Sequence, residues 1–297
     1  LTSISSDSKT LLSCTSRFKH KEKDKTLNKT QIAQGLQRRL KCAVKPINAL
    51  KERIAQADTV PPFMPTSDGG RVVLVSTWGD DLDVVNVAKV SFDKHDPSVI
   101  AHLGEGLTDR QLSLLNFLWK NKHTSPFRHQ YLKFQITAPI FVMRQWMKHT
   151  VGCAWNEASG RYIKFSDDFY APKEFRASVK DTKQGSGGPI ESAEIQESAL
   201  TAYNDSLSAS YLTYQYLLSI GVCHEQARTV MPLATMTRCV WTCSLQAFLN
   251  FLELRLSPHA QLEIQEYAQA CLSLVIDQGD FIETLRAALA LSDSPEE

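Results

Sequence analysis

Gln145, Lys148 and His149 stand at i, i+3 and i+4, the spacing that puts three polar side chains on one helix face. Asn156, Glu157, Ser159, Gly160 and Arg161 follow within a few positions. Acceptors, donors and a fixed positive charge are thus crowded onto one stretch. Elsewhere His123, Ser125, Arg228, Asn250 and Arg255 are further polar residues with no evident structural duty. Arginines near helix ends, beside a Ser-Gly element whose backbone N–H groups can approach an oxyanion, suit a phosphate or nucleotide. Each residue alone also has a plain reading, as a hydrogen-bonded structural histidine, a surface ion pair, or a Glu157–Lys148 contact. Taken together they describe an anionic-metabolite site.

Two other chemistries fare worse. Cys153 lies near His149 and Ser159 near Glu157, yet neither pair forms a nucleophile–base–orienter set. His123 and His129 are six positions apart, which is not the i, i+4 spacing of a helical zinc pair, and no metal is expected. There is no Gly-rich phosphate loop.

The elements that must position these groups are read from periodicity. Arg71–Thr77 reads as a strand closed at Trp78-Gly79, followed by a helix from about Leu82 to Val90. Thr108 and Gln111 form a capping box for a helix to about Lys122. Alternation from Tyr131 to Thr137 gives a strand leading into an apolar helix opened by Pro139 and ended by Gly152. A strand is expected at Arg161–Phe165 and a flexible surface insertion at 180–189. A long helix follows at Glu191–Ile220, with Ile195, Leu200, Tyr203, Leu207, Tyr211, Tyr214 and Leu218 on its inner stripe. A short helix spans about His224–Val230. Further helices are expected at Trp241–Leu254 and over Ile264–Val275, with the acidic tail after Leu291 frayed.

At 297 residues and 43% hydrophobic the chain can bury an enzyme-sized core, and no run approaches the ~20 apolar residues of a membrane span. The net charge of +1 hides an asymmetry, since residues 1–60 carry +8 and the rest −7. Residues 1–70 read as a basic tail and linker, with one or two weak helices over Gln31–Ala57, and 71–297 as the functional domain. A nucleic-acid-binding arm is the less favoured reading of that tail, because charge runs usually belong to solvated segments. The Ser/Thr-rich opening also resembles a transit peptide, and the chain opens with Leu1, so organellar targeting stays open. Seven scattered cysteines otherwise suit a reducing, intracellular setting.

Several blocks occur together in order: His123-x-Ser-Pro-Phe-x-His129, Pro139-Ile-Phe-Val-x-Arg-Gln-Trp146, Lys148-His149, and Asn156-Glu157-x-Ser159-x-Arg161-Tyr162. Ala227-Arg228-x-Val-x-Pro232, Asn250-Phe-Leu-x-Leu-Arg255 and His259-Ala-Gln261-x-Glu-Ile continue the series. From about Arg71 to Ile276 the chain resembles the flavin-dependent thymidylate synthases. The resemblance implies an α/β fold of the α+β kind, a twisted, largely antiparallel sheet with surrounding helices, assembled as a homotetramer with flavin sites between subunits. It implies conversion of dUMP to dTMP, with methylenetetrahydrofolate as carbon donor and NADPH reducing the FAD. Gln145, Lys148, Ser159, Gly160, Arg161 and Arg228 would hold dUMP, and Arg255 would sit at the uracil edge. Ser125, His149, Glu157 and Asn250 would contact FAD, and His123 would border the flavin. The family's Arg-His-Arg is here Lys148-His149-Thr150. Ser244 and Gln246 stand where an Asn and an Arg usually contact FAD, and Arg128 where an acid is common. The competing reading is a catalytically silent FAD or nucleotide binder with a nucleic-acid-binding N-terminal arm.

Overall fold

A computed structural model describes residues 63–92, 106–179 and 185–292. The expected helices of the N-terminal tail and the frayed acidic end lie outside these residues. Five strands form one sheet in the order β1-β2-β3-β5-β4, with every pairing antiparallel. They are β1 (Phe63–Pro65), β2 (Arg71–Trp78), β3 (Tyr131–Pro139), β4 (Cys153–Glu157) and β5 (Met236–Ser244). Around them run α1 (Asp81–Lys89), α2 (Asp109–Lys120), α3 (Ile140–Trp146), α4 (Ala193–Ser219), α5 (His224–Ala227), α6 (Leu245–Arg255), α7 (Leu262–Gln278) and α8 (Ile282–Ser292). Among the described helices none is long and apolar enough to cross a membrane.

The sheet is covered on one face. Val72 and Leu74, Leu132, Phe134 and Ile136, and Cys239, Trp241 and Cys243 are buried, while Arg71, Lys133, Arg238 and Val240 between them are exposed. This period-2 alternation fixes the register, because a one-residue slip would turn every apolar side chain to water. The capping box of Thr108 and Gln111 opens α2 as expected.

Several expectations fail, each for a physical reason. Trp241–Leu254 is not one helix but the end of β5 followed by α6. Ser244 makes the break, its Oγ accepting the Ala247 N–H at 3.2 Å as the helix cap. The strand expected at Arg161–Phe165 lies one block earlier, as β4. Residues 159–163 instead form a turn closed by the Tyr162 and Ile163 N–H groups on the Ser159 carbonyl. On α4 only Leu207 and Tyr214 of the expected inner stripe are buried, and Ile195 and Leu200 are exposed.

The end of the stretch expected to be linker is part of the fold. β1 pairs with β2, and Asp68 is buried beside Tyr267 of α7. The Tyr267 hydroxyl lies 3.0 Å from both Asp68 carboxylate oxygens and 3.2 Å from the Thr137 carbonyl. Asp68 also accepts from the Thr66 hydroxyl at 2.5 Å and the Gly70 N–H at 2.9 Å. Burial and the Asp68 charge both hold the proton on Tyr267. Tyr267→Phe removes a donor from a buried carboxylate and is expected to lower stability by about 1.5–3 kcal/mol. A lower urea midpoint with an unchanged slope measures this, and an unchanged midpoint refutes it.

Candidate active site

The polar stretch is built on α3. Its first N–H groups are satisfied by the loop before β5, Ile140 on the Thr235 carbonyl and Phe141 on that of Leu233. The helix stops after Trp146, so Gln145 is helical while Lys148 and His149 lie in the following turn. The three do not share a helix face. Gly152 takes a positive φ of 71°, and a Cβ there would fall 2.6 Å from Ser244 Oγ, so the chain can re-enter the sheet as β4 only with glycine.

Arg255, the last residue of α6, meets this turn from the other side. Its Nε–H donates to His149 Nε2 at 3.0 Å and an Nη2 hydrogen to the Gln145 carbonyl at 3.1 Å. The His149 ring stands edge-on to Phe251 at 5.3 Å. Burial, and then the Arg255 charge, pull the His149 pKa from 6.5 to about 4. The imidazole is therefore neutral at physiological pH. With Nε2 accepting from arginine, its proton sits on Nδ1 and is available as a donor. Arg255 keeps Nη1 for a ligand.

Gln145 and Arg255 open onto a cleft of about 780 Å³, within the range of ligand sites. Gln145 Nε2 donates to Gln261 Oε1 at 2.5 Å, leaving the Gln145 carboxamide oxygen as an acceptor. Among the described residues the cleft lining contains two arginines, Arg176 and Arg255, and no carboxylate side chain. Such a cleft favours an anionic occupant. Gly185, Ser186 and Gly187, expected within a surface insertion, also line it.

Ser159, Gly160, Arg161 and Arg228 form a separate group. A Cβ on Gly160 would lie 2.3 Å from the Phe165 ring and 3.2 Å from Arg228 Cδ, so only glycine admits this approach. Arg161 pairs with Glu225, and its N–H lies 3.3 Å from Ser159 Oγ. Glu157, near Lys148 in sequence, instead accepts from Thr237 Oγ1 at 2.8 Å. Lys148 itself is exposed.

A third group gathers where the 3-10 turn Ser125–Arg128 meets α6. Ser125 and Asn250 are exposed there, and Gln246 accepts from Arg128 Nε at 2.5 Å. Gln246 thereby orients the Arg128 guanidinium. His123 is exposed on the turn after α2, edge-on to Phe117. Ser244 is 4% exposed, its hydroxyl committed to the α6 cap, which takes it off the surface open to a ligand. Cys153 is held protonated by burial, with its thiol 3.7 Å from the Val151 carbonyl, as a packing residue would be.

Arg128, Arg176 and Gln261 are polar residues to which sequence reasoning gives no role. Arg128 also reaches Thr124 four positions back, but the partners that set the three in the site lie 118, 87 and 116 positions away.

The thymidylate synthase complementing protein family model matches residues 73–278. A flavin-dependent thymidylate synthase of Thermosipho melanesiensis is 38% identical over 201 residues, 68% of this chain and 83% of its own. One from Thermus thermophilus is 38% identical over 215 residues, 72% of this chain and 74% of its own. Among solved structures, the UMP/dUMP methylase PolB from Streptomyces cacaoi bound with 5-Br UMP is similar with a TM-score of 0.64. Its identity is 26%, over 78% of this chain and 96% of that one. The same methylase bound with 5-Br dUMP gives 0.64, 27%, 77% and 96%. Fold, motif order and relatives agree, and the chain belongs to the thymidylate synthase complementing protein family, that of the flavin-dependent thymidylate synthases.

Proposed function

We propose that this protein converts dUMP to dTMP by reductive methylation, with FAD as its flavin, methylenetetrahydrofolate as carbon donor and NADPH as reductant. The observation that carries the reading is Arg255, anchored on a neutral histidine at the mouth of a cleft whose described lining contains no acid. Building a methyl group at C5 of uracil pushes negative charge onto the ring oxygens. A preorganised guanidinium at the ring edge stabilises that charge without having to reorient. Gln145, fixed by Gln261, offers an acceptor beside it for an imide N–H.

The donor set also suits FAD. Nδ1–H of His149, the Ser125 hydroxyl, the Arg128 guanidinium and the Asn250 carboxamide are groups that hold phosphate and flavin acceptors. When bound, the reduced flavin supplies the hydride. The chain's own part is to orient the pyrimidine, neutralise its charge and hold its phosphate.

The phosphate would rest on Ser159, Gly160, Arg161 and Arg228. These residues do not line the cleft of Gln145 and Arg255. They adjoin Arg238 of β5, while Gln246 lies past Ser244 at its other end, roughly 20 Å along the strand. This separation supports sites completed between copies of the chain, as in a homotetramer. The silent-binder alternative is not favoured, since Arg255 and Gln145 are present and oriented.

Arg255→Ala is expected to lower dTMP formation about 10²–10³-fold while the flavin spectrum persists. Near-normal turnover would remove Arg255 from the chemistry. Gly160→Ala must displace Phe165 or Arg228, so the KM for dUMP should rise with little change in the melting profile. An unaltered KM would sink the phosphate assignment. His149 makes a pH prediction. Its folded pKa of about 4 lies below the ordinary 6.5, so between these values the unfolded chain takes up a proton that the native state refuses. Stability should therefore fall as pH drops through that window and be flat above it. His149→Gln should lessen the slope in urea midpoints measured from about pH 4 to 7.

A further inference from the structure

The cleft holds a second cation that the assignment of dUMP and FAD leaves unused. Arg176 Nη2 donates to Glu263 Oε1 at 2.9 Å, and Tyr170 donates its hydroxyl proton to the same oxygen at 2.9 Å. Glu263 lies in the first turn of α7 with its side chain 9% exposed, and that of Arg176 is 22% exposed. Burial alone would push the Glu263 carboxyl up. Its own backbone N–H, Tyr170, Gln261 and Arg176 outweigh that and keep it below the ordinary carboxylate range. The carboxylate is thus a fixed, buried anchor that holds Arg176 in one orientation, and breaking such a pair would leave an uncompensated buried charge.

Arg176 lines the cleft, whereas Glu263 does not. One edge of the guanidinium is therefore tied back to the protein, and the remainder has no partner among the described residues. Two like charges share this cleft, with His149 and the Gln145 carbonyl taking the inner edge of Arg255 and Glu263 that of Arg176. They present separate anion-recognising ends. Arg255 serves the pyrimidine, and the nucleotide phosphate has its own cradle at Ser159–Arg161 and Arg228. Arg176 is left for an oxyanion belonging to a different ligand.

We propose that Arg176, held by Glu263 and Tyr170, is a carboxylate subsite that takes the glutamate tail of the folate carbon donor. This rests on the dTMP-forming reading above. A planar guanidinium with one edge already fixed matches a carboxylate in a fork and loses little freedom on binding it. Arg176 is a positioning residue, remote from the reacting carbon.

The test measures steady-state KM for methylenetetrahydrofolate, for methylenetetrahydropteroate, which lacks the glutamate and ends in a benzoate carboxylate set back from the tail's position, and for dUMP. With wild-type protein the pteroate is expected to show a KM about tenfold higher, the weight of one charge-assisted pair. Arg176→Gln should raise the folate KM to the pteroate value and leave the dUMP KM and kcat unchanged, and Arg176→Lys should recover part of the discrimination. Because Arg176→Gln strands a buried carboxylate, the double variant Arg176→Gln, Glu263→Gln is measured beside it, with flavin absorbance and melting midpoint as checks on folding. A variant that still discriminates folate from pteroate, or one whose dUMP KM rises instead, overturns the proposal. Wild-type protein that makes no dTMP refutes the functional reading beneath it. Normal dTMP synthesis without sensitivity to the tail refutes only the subsite.

Discussion

The site depends on one packing contact, the face-to-face stack of Trp146 on Phe251 at 4.7 Å and 11°. Trp146 also meets Trp241 edge-on at 5.3 Å, and Trp241 stacks on Trp155 of β4 at 5.5 Å. Three indoles and a phenyl ring therefore lock α3, α6, β4 and β5 together. Trp146 is fully buried and its indole N–H has no partner among the described residues, a cost on the order of 1–3 kcal/mol that the ring's burial must offset. What this packing secures is phase. Arg255 lies one turn beyond Phe251 and therefore on the same side of α6, while Gln145 and His149 flank Trp146. Seating Phe251 on Trp146 brings the guanidinium to the histidine. The chemistry of the cleft is thereby tied to the core.

Charge is sorted by depth around this contact. Two of the buried acids lie against the starts of helices. Asp81 accepts the N–H groups of Glu283 and Thr284 on α8, and Glu263 sits in the first turn of α7. The arginines are held at the cleft by partners behind them. Arg255 rests on neutral acceptors, so its full charge faces the cleft. Arg176 rests on an anion, so part of its field is already compensated. Two guanidiniums in one cleft thus differ in strength, which suits one to charge that develops during reaction and the other to charge already present.

Local signals are legible in the sequence and long-range ones are not. Thr108 and Gln111 announce α2 because a capping box is complete within four residues. The alternation of β3 is legible because one face of the sheet is buried and the other is not. β5 is hidden, since Val240, Trp241 and Cys243 run into the apolar face of α6 without a Gly or Pro between them. Only Ser244, a cap in disguise, marks the change of period. The site residues are legible as a motif, but their mutual arrangement is not. Lys148 and His149 fall outside the helix, and Glu157 bonds Thr237 rather than Lys148, because tertiary contacts decide those partners.

The departures from the family pattern are easier to read in three dimensions. By the resemblance alone, Arg128 and Gln246 are two separate departures, one from an acid and one from an arginine. The 2.5 Å bond between them shows that the two positions face each other across α6 and the 3-10 turn. Lys148 offers a point charge where a fork is usual. Lys148 and Arg128 stand on different parts of the fold, the turn after α3 and the 3-10 turn facing α6. His149 is the fixed member between them, because Arg255 and Phe251 hold it in place whatever charges surround it.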